Sequence, residues 1–177
     1  MGAVLLASHV SLGTPAVIKV ILPEAAAQDE RARQRFFNEA RLSSAIRHEN
    51  VVRIYDFGEL PDGTLYTIME LVPGEDLEEL LKREGRMEPL RAARILRQVA
   101  AALEAAHSHP GGAIVHRDLK PSNIRIAERD RGEHVTVLDF GISRVAEREG
   151  GAADPAGGHP RDPDLHVAGA VRRRAAR

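Results

Sequence analysis

The sequence predicts an α+β fold, and three observations carry that prediction. Short β-type runs separated by turn residues dominate residues 1–72. A long segment with helical periodicity follows, from Pro89 to about His107. Neighbouring strand runs are joined by short turns, which suggests antiparallel pairs. At 177 residues the chain is long enough to bury one sizeable core.

In chain order, Val4–Ser8 and Ala16–Leu22 are apolar runs joined by a Gly-Thr-Pro turn, and they predict an antiparallel pair. Residues 29–46 are charged, alanine-rich and helix-permissive, with Phe36, Phe37 and Ala40 on one side. Val51–Phe57 and Thr64–Val72 read as strands joined by Pro61-Asp62-Gly63. Proline presets φ in that turn, and glycine accepts a positive φ. Asp76 opens a helix running through Glu84, with Glu79 at capping-box spacing. Pro89 suits the first turn of the longer helix, whose expected apolar stripe is Leu90, Ala93, Leu96, Val99, Leu103 and Ala106. Ile124–Ala127 and Val135–Leu138 predict a hairpin across the charged loop 128–134. After Val145 no period is sustained, and residues 146–177 are expected to be a disordered tail. No internal repeat is found.

Composition removes several function classes. The net charge is −1, so no bulk attraction to nucleic acid or to a membrane surface is expected. Cysteine is absent, which excludes disulfides and thiolate metal sites, and the eight histidines do not fall at metal-ligand spacing. No apolar run has the length of a membrane span and no signal peptide is read, so a cytoplasmic protein is expected.

The most informative segment is His116-Arg117-Asp118-Leu119-Lys120-Pro121-Ser122-Asn123, followed sixteen residues after Asn123 by Asp139-Phe140-Gly141. A lone His-Arg-Asp would be an ordinary charged turn. Eight residues in this order, with a second acidic loop at this distance, are far more specific. Asn123 and Asp139 offer hard oxygen atoms of the kind Mg²⁺ takes. Asp118 is a carboxylate able to orient a hydroxyl, with a cation, Lys120, two residues on.

These two motifs resemble the catalytic loop and the magnesium-binding loop of eukaryotic-type serine/threonine protein kinases, in a bacterial-like style. The resemblance runs from about Gly2 to Arg144. It implies a two-lobed fold: a small antiparallel β lobe with one helix over residues 1–72, and an incomplete helical large lobe over 73–145. It implies ATP and Mg²⁺, and a protein substrate with a serine or threonine hydroxyl. Asp118 would orient that hydroxyl, Lys120 would stabilise charge on the transferred group, and Asn123 and Asp139 would hold the metal. Lys19, in Ala16-Val17-Ile18-Lys19, resembles the strand lysine that takes the phosphates, with Glu39 as its helix partner. Two of the three lysines, Lys19 and Lys120, thus stand where this chemistry asks for lysine. Met69, Glu70 and Val72 resemble the strand that enters the hinge: Met69 at the back of the nucleotide pocket, the backbone of Glu70 and Val72 at the adenine edge. Gly2 and Val4 resemble the end of the glycine-rich loop.

Two positions depart from the family pattern. Val17 stands where the roof over adenine has alanine. Arg125 stands where an apolar residue lies beneath adenine, so its guanidinium would either stack on the base or be buried at a cost. No Ala-Pro-Glu motif follows Asp139-Phe140-Gly141, and Met1 falls inside the glycine-rich loop. A chain truncated at both ends is expected, with impaired activity. The alternative is a non-catalytic nucleotide-binding or interaction fragment, or a gene remnant.

Overall fold

The computed structural model describes residues 2–21, 30–130 and 132–140. The expected tail at 146–177 and Gly141 lie outside the described residues. Two compact units are present. Among the described residues, the first combines those up to Ala40 with Ile54–Leu71, and the second combines Arg41–Arg53 with those from Val72 to Phe140.

Among the described residues, the first unit is a four-stranded antiparallel sheet in the order β1-β2-β4-β3, with one helix. Its elements are β1 (Gly2–Ser8), β2 (Pro15–Ile21), α1 (Glu30–Ala45, which continues into the second unit), β3 (Ile54–Glu59) and β4 (Leu65–Glu70). The Gly-Thr-Pro turn closes the β1–β2 hairpin through a His9 N–H bond to the Thr14 carbonyl at 2.8 Å. The Pro-Asp-Gly turn closes β3–β4: Asp62 accepts from the Thr64 N–H at 2.9 Å, and Gly63 takes φ 84°. Side chains alternate across this sheet. Leu5, Ala7, Ala16, Ile18, Val20, Tyr66 and Ile68 pack together on one face. The other face meets α1 through Phe37 and Phe57, whose rings lie 6.3 Å apart. Arg33 of α1 also bonds Glu59 of β3 at 2.8 Å.

The second unit holds β5 (Glu75–Asp76), α2 (Leu77–Glu84), α3 (Pro89–His107), a 3-10 turn (Pro121–Asn123), β6 (Ile124–Arg129) and β7 (Gly132–Val137). Asp76 caps α2 by accepting from the Glu79 N–H at 2.8 Å, as the capping-box spacing predicts. Pro89 does open α3, and Glu88 caps it by accepting from the amides of Leu90 and Arg91 at 2.9 and 2.7 Å. A carboxylate at that end also meets the positive end of the helix dipole.

The expected stripe of α3 needs correction. Ile95, Val99, Ala102 and Ala106 are its buried residues, whereas Leu90 and Leu96 are 62% and 60% exposed. An alanine-rich helix offers two apolar faces, and β7 selects the one that carries Ile95. That face packs with Ile46, Val51, Leu80, Ile124, Ile126, Val135 and Val137 in the core of the unit. The β6–β7 hairpin is longer than expected, because its ladder extends through Glu128–Glu133 and Arg129–Gly132. Two like charges face each other there, and Arg91 offsets this by bonding Glu133 at 2.9 Å.

Candidate active site

In the first unit, the strand register decides which residues share a face. Val4 of β1 lies opposite Lys19 of β2, which lies opposite Thr67 of β4; Leu6 lies opposite Val17, which lies opposite Met69. Val4, Val17, Lys19 and Met69 therefore share one face of the sheet. Val4 and Leu6 are exposed there, while Met69 is buried. Leu6 has no place in the glycine-loop pattern, so only the register reveals it as a neighbour of Val17. Glu70, opposite Ala16, points to the other face. Glu39 lies on α1, half-buried, as does Lys19 on β2. Gly2 begins β1.

In the second unit, the chain from His116 to Asn123 is folded around its own polar groups. His116 is buried at 2% exposure, and its Nε2 bonds the Leu138 carbonyl at 2.8 Å. Its Nδ1 accepts from the Asp118 N–H at 3.3 Å, so the geometry assigns the ring proton to Nε2. The His116 ring also lies 4.7 Å from the Phe140 ring. The catalytic-loop segment and the acidic loop are thus joined through a single imidazole.

Asp118, Lys120, Asn123 and Asp139 gather at one place. Lys120 Nζ lies 2.8 Å from Asp118 Oδ2. Asn123 Nδ2 donates to the Asp118 carbonyl at 2.9 Å and to its carboxylate at 3.3 Å. The Leu138 N–H donates to the Asn123 carbonyl at 2.8 Å, which sets Asp139 beside this group. The Lys120 ammonium, first by its hydrogen bond, holds the Asp118 carboxyl below the usual aspartate value. In return Asp118 raises Lys120, and the nearby Asp139 carboxylate adds to that.

Two non-glycine residues here take positive φ: Arg117 at 62° and Asp139 at 55°. Such conformations persist only where the surroundings enforce them, and they concentrate at working sites. Among the described residues no group of three or more acidic, histidine or cysteine side chains forms a metal cluster. Asn123 and Asp139 contribute an amide and a carboxylate to this group. The Asn123 amide nitrogen is spent on Asp118, which leaves Oδ1 as the acceptor atom of that amide.

Arg125 lies on β6 and reaches the carbonyl of Gly74, just beyond Val72. Val72 is buried past the end of β4. No helix among the described residues is long and apolar enough to cross a membrane.

Known proteins agree with this geometry. The protein kinase domain family matches residues 1–159. The serine/threonine-protein kinase pkn2 of Myxococcus xanthus is 47% identical over 147 residues, which cover 83% of this chain and 17% of that protein. The serine/threonine-protein kinase pkn3 of the same organism is 41% identical over 148 residues, covering 83% of this chain and 26% of that protein. The crystal structure of the Mycobacterium tuberculosis PknI kinase domain superimposes with a TM-score of 0.67 at 30% identity, over 81% of this chain and 56% of that one. The chain thus spans about a quarter or less of these curated relatives and about half of the solved domain. Motif, strand register and relatives converge, and the chain belongs to the protein kinase domain family.

Proposed function

We propose that this chain carries the nucleotide and phosphoryl-transfer residues of a serine/threonine protein kinase. Family membership implies ATP and a divalent metal, and the hard oxygen donors of Asn123 and Asp139 favour Mg²⁺. The metal would supply charge neutralisation on the phosphates. Lys19 would take the phosphates, with Glu39 as its helix partner. Val4, Val17 and Met69 would line the base, and the backbone of Glu70 and Val72 would meet its edge, with Gly2 at the phosphate end and Arg125 below. Asp118 would accept the proton of a serine or threonine hydroxyl, and Lys120 would lower the cost of charge on the group in transfer. The division into a small lobe over 1–72, a partial large lobe over 73–145 and a tail is part of the same proposal.

The observation that carries this reading is the Asp118–Lys120–Asn123 cluster. Its hydrogen bonds pre-orient one carboxylate oxygen and pair a cation with it. Proximity of this kind can lower a barrier by about 7–11 kcal/mol when both reactants are held. A second reading is nucleotide binding without turnover. One experiment separates the two. Mg·ATP is titrated against the wild type and Lys19→Ala, and radiolabelled phosphate transfer to a basic protein substrate is measured with Asp118→Ala as the blank. Binding with transfer above the blank supports the kinase reading. Binding without transfer supports the second. Equal affinity of wild type and Lys19→Ala would overturn the phosphate role.

A further inference from the structure

We propose that Ser43 is a positioning residue for Asp139, acting through the backbone of Phe140; this rests on Asp139 being a metal ligand. Ser43 lies in the last turn of α1 and is 4% exposed. Its Oγ donates to the Phe140 carbonyl at 2.8 Å, across 97 residues of chain. A hydroxyl in a helix interior commonly bonds back to its own helix, as Ser44 does by donating to the Arg41 carbonyl at 2.8 Å. Ser43 instead spends its proton on the Phe140 carbonyl, beyond the end of β7.

The reason lies at Asp139. Its φ of 55° is uncommon for a residue with a Cβ, so the chain must be held on both sides of it. On the preceding side, the Leu138 N–H bonds Asn123 and the Leu138 carbonyl bonds His116. On the following side, the Phe140 ring packs on His116, and the Phe140 carbonyl is fixed by Ser43. A ring contact tolerates sliding along and rotation about the ring, whereas a hydrogen bond of 2.8 Å fixes the peptide plane. Ser43 therefore holds the Phe140 carbonyl, one residue beyond Asp139, and through the Phe140 backbone restrains the aim of the Asp139 carboxylate.

The test compares wild type, Ser43→Ala, which removes the donor, and Ser43→Cys, which keeps the size with a weaker donor. Affinity for a fluorescent ATP analogue is measured in EDTA and across a Mg²⁺ series. Amide hydrogen exchange is followed at residues 138–140, with β6 as internal reference. Ser43→Ala is expected to weaken binding about fivefold in saturating Mg²⁺ and less than twofold in EDTA. It should also speed exchange at 139 and 140 about tenfold while β6 is unchanged. Ser43→Cys should fall between. A wild type whose binding depends on Mg²⁺, with Ser43→Ala retaining both that dependence and the protection, would overturn the role of Ser43 and leave the site reading standing. Equal losses with and without Mg²⁺ would show a purely structural bond and also overturn it. A wild type indifferent to Mg²⁺ would overturn the metal reading itself, before any variant is compared.

Discussion

The Arg125 guanidinium donates a hydrogen bond to the carbonyl of Gly74, 51 residues earlier in the chain. The two residues lie where β5 pairs with β6: Glu75 faces Ile126 and Asp76 faces Arg125 in the register. The neighbouring positions Ile124 and Ile126 point into the core, so Arg125 points away from it. The sequence leaves two fates for this side chain, stacking on a base or costly burial. The structure adds a third, a tether to the segment that follows Val72.

Arg125→Leu is expected to stabilise the fold by about 1 kcal/mol. The lost bond is to an exposed carbonyl that water can satisfy, so it contributes on the order of 1 kcal/mol. Against it stands the Arg125 Nε, which is buried with no hydrogen-bond partner. An orphaned buried donor costs about 1–3 kcal/mol, so its removal outweighs the lost tether. Thermal denaturation should show a midpoint higher by about 2–4 °C, and ATP should bind more tightly to the leucine variant. A lower midpoint would mean that the tether is the larger effect.

Gly74→Ala should be among the most damaging single changes in the second unit. Gly74 has φ 90°, and a Cβ there would lie 1.9 Å from the Ile126 carbonyl oxygen. That atom is backbone in a paired strand and cannot rotate away. Gly63 is the control, with φ 84° and open space around its missing Cβ. Gly63→Ala should cost about 1–2 kcal/mol, the strain of a left-handed residue alone. Gly74→Ala should cost more than about 3 kcal/mol, because β5 must separate from β6. Urea denaturation of the two variants gives the comparison, and similar midpoints would refute the close approach.

The sequence made some of this legible and hid the rest for physical reasons. Turns are written in local chemistry, so Pro61-Asp62-Gly63 and the Asp76 cap could be placed from a few residues. The face of α3 could be placed only in part: Val99 and Ala106 are buried as expected, but Leu90, Ala93 and Leu96 match Ile95 and Ala102 in apolarity. Only the partner strand decides between them. The β6–β7 hairpin outran its expected length because Glu128 and Glu133 read as loop, and Arg91, far away in sequence, stabilises Glu133 within the ladder. At the candidate site the motif spacing located Asp118, Lys120, Asn123 and Asp139, which are set by short, specific segments. Ser43 and Leu6 were invisible: one acts through a bond spanning 97 residues, the other through strand register.

Thr67→Val should raise stability by about 1 kcal/mol. Thr67 is 1% exposed on β4, and its Oγ1 is buried without a hydrogen-bond partner. A hydroxyl in that state has lost its water and gained nothing. Valine keeps the β-branched shape that suits a strand and replaces the polar atom with a methyl group. The urea midpoint should rise with an unchanged slope. A fall in the midpoint would mean that the hydroxyl makes a bond in solution.

Lys120→Met should move the Asp118 titration upward. In the wild type the largest cause of the lowered Asp118 value is the hydrogen bond from Lys120, with smaller help from Asn123 and His116 and an opposing contribution from burial. A carboxylate whose folded value is depressed stabilises the fold above its unfolded value, about 3.9, and that contribution is lost as pH falls through the folded value. Removing Lys120 narrows this window from its acid end, so the variant has a smaller contribution and loses the last of it at a higher pH. The stability effect should be small, about 1 kcal/mol or less, because the Lys120 and Asp118 side chains are 51% and 33% exposed and water screens the pair. The titration itself is the sharper readout. Carboxyl-carbon NMR of labelled aspartate should place Asp118 below the ordinary range in the wild type and closer to it in Lys120→Met, with Asp62 as an internal control. The Asp62 carboxyl is lowered by the Thr64 backbone N–H in the β3–β4 turn, so it should not respond. An Asp118 curve identical in both proteins would show that the ion pair does not hold that carboxylate in solution, and Lys120 would lose its assigned part in orienting Asp118.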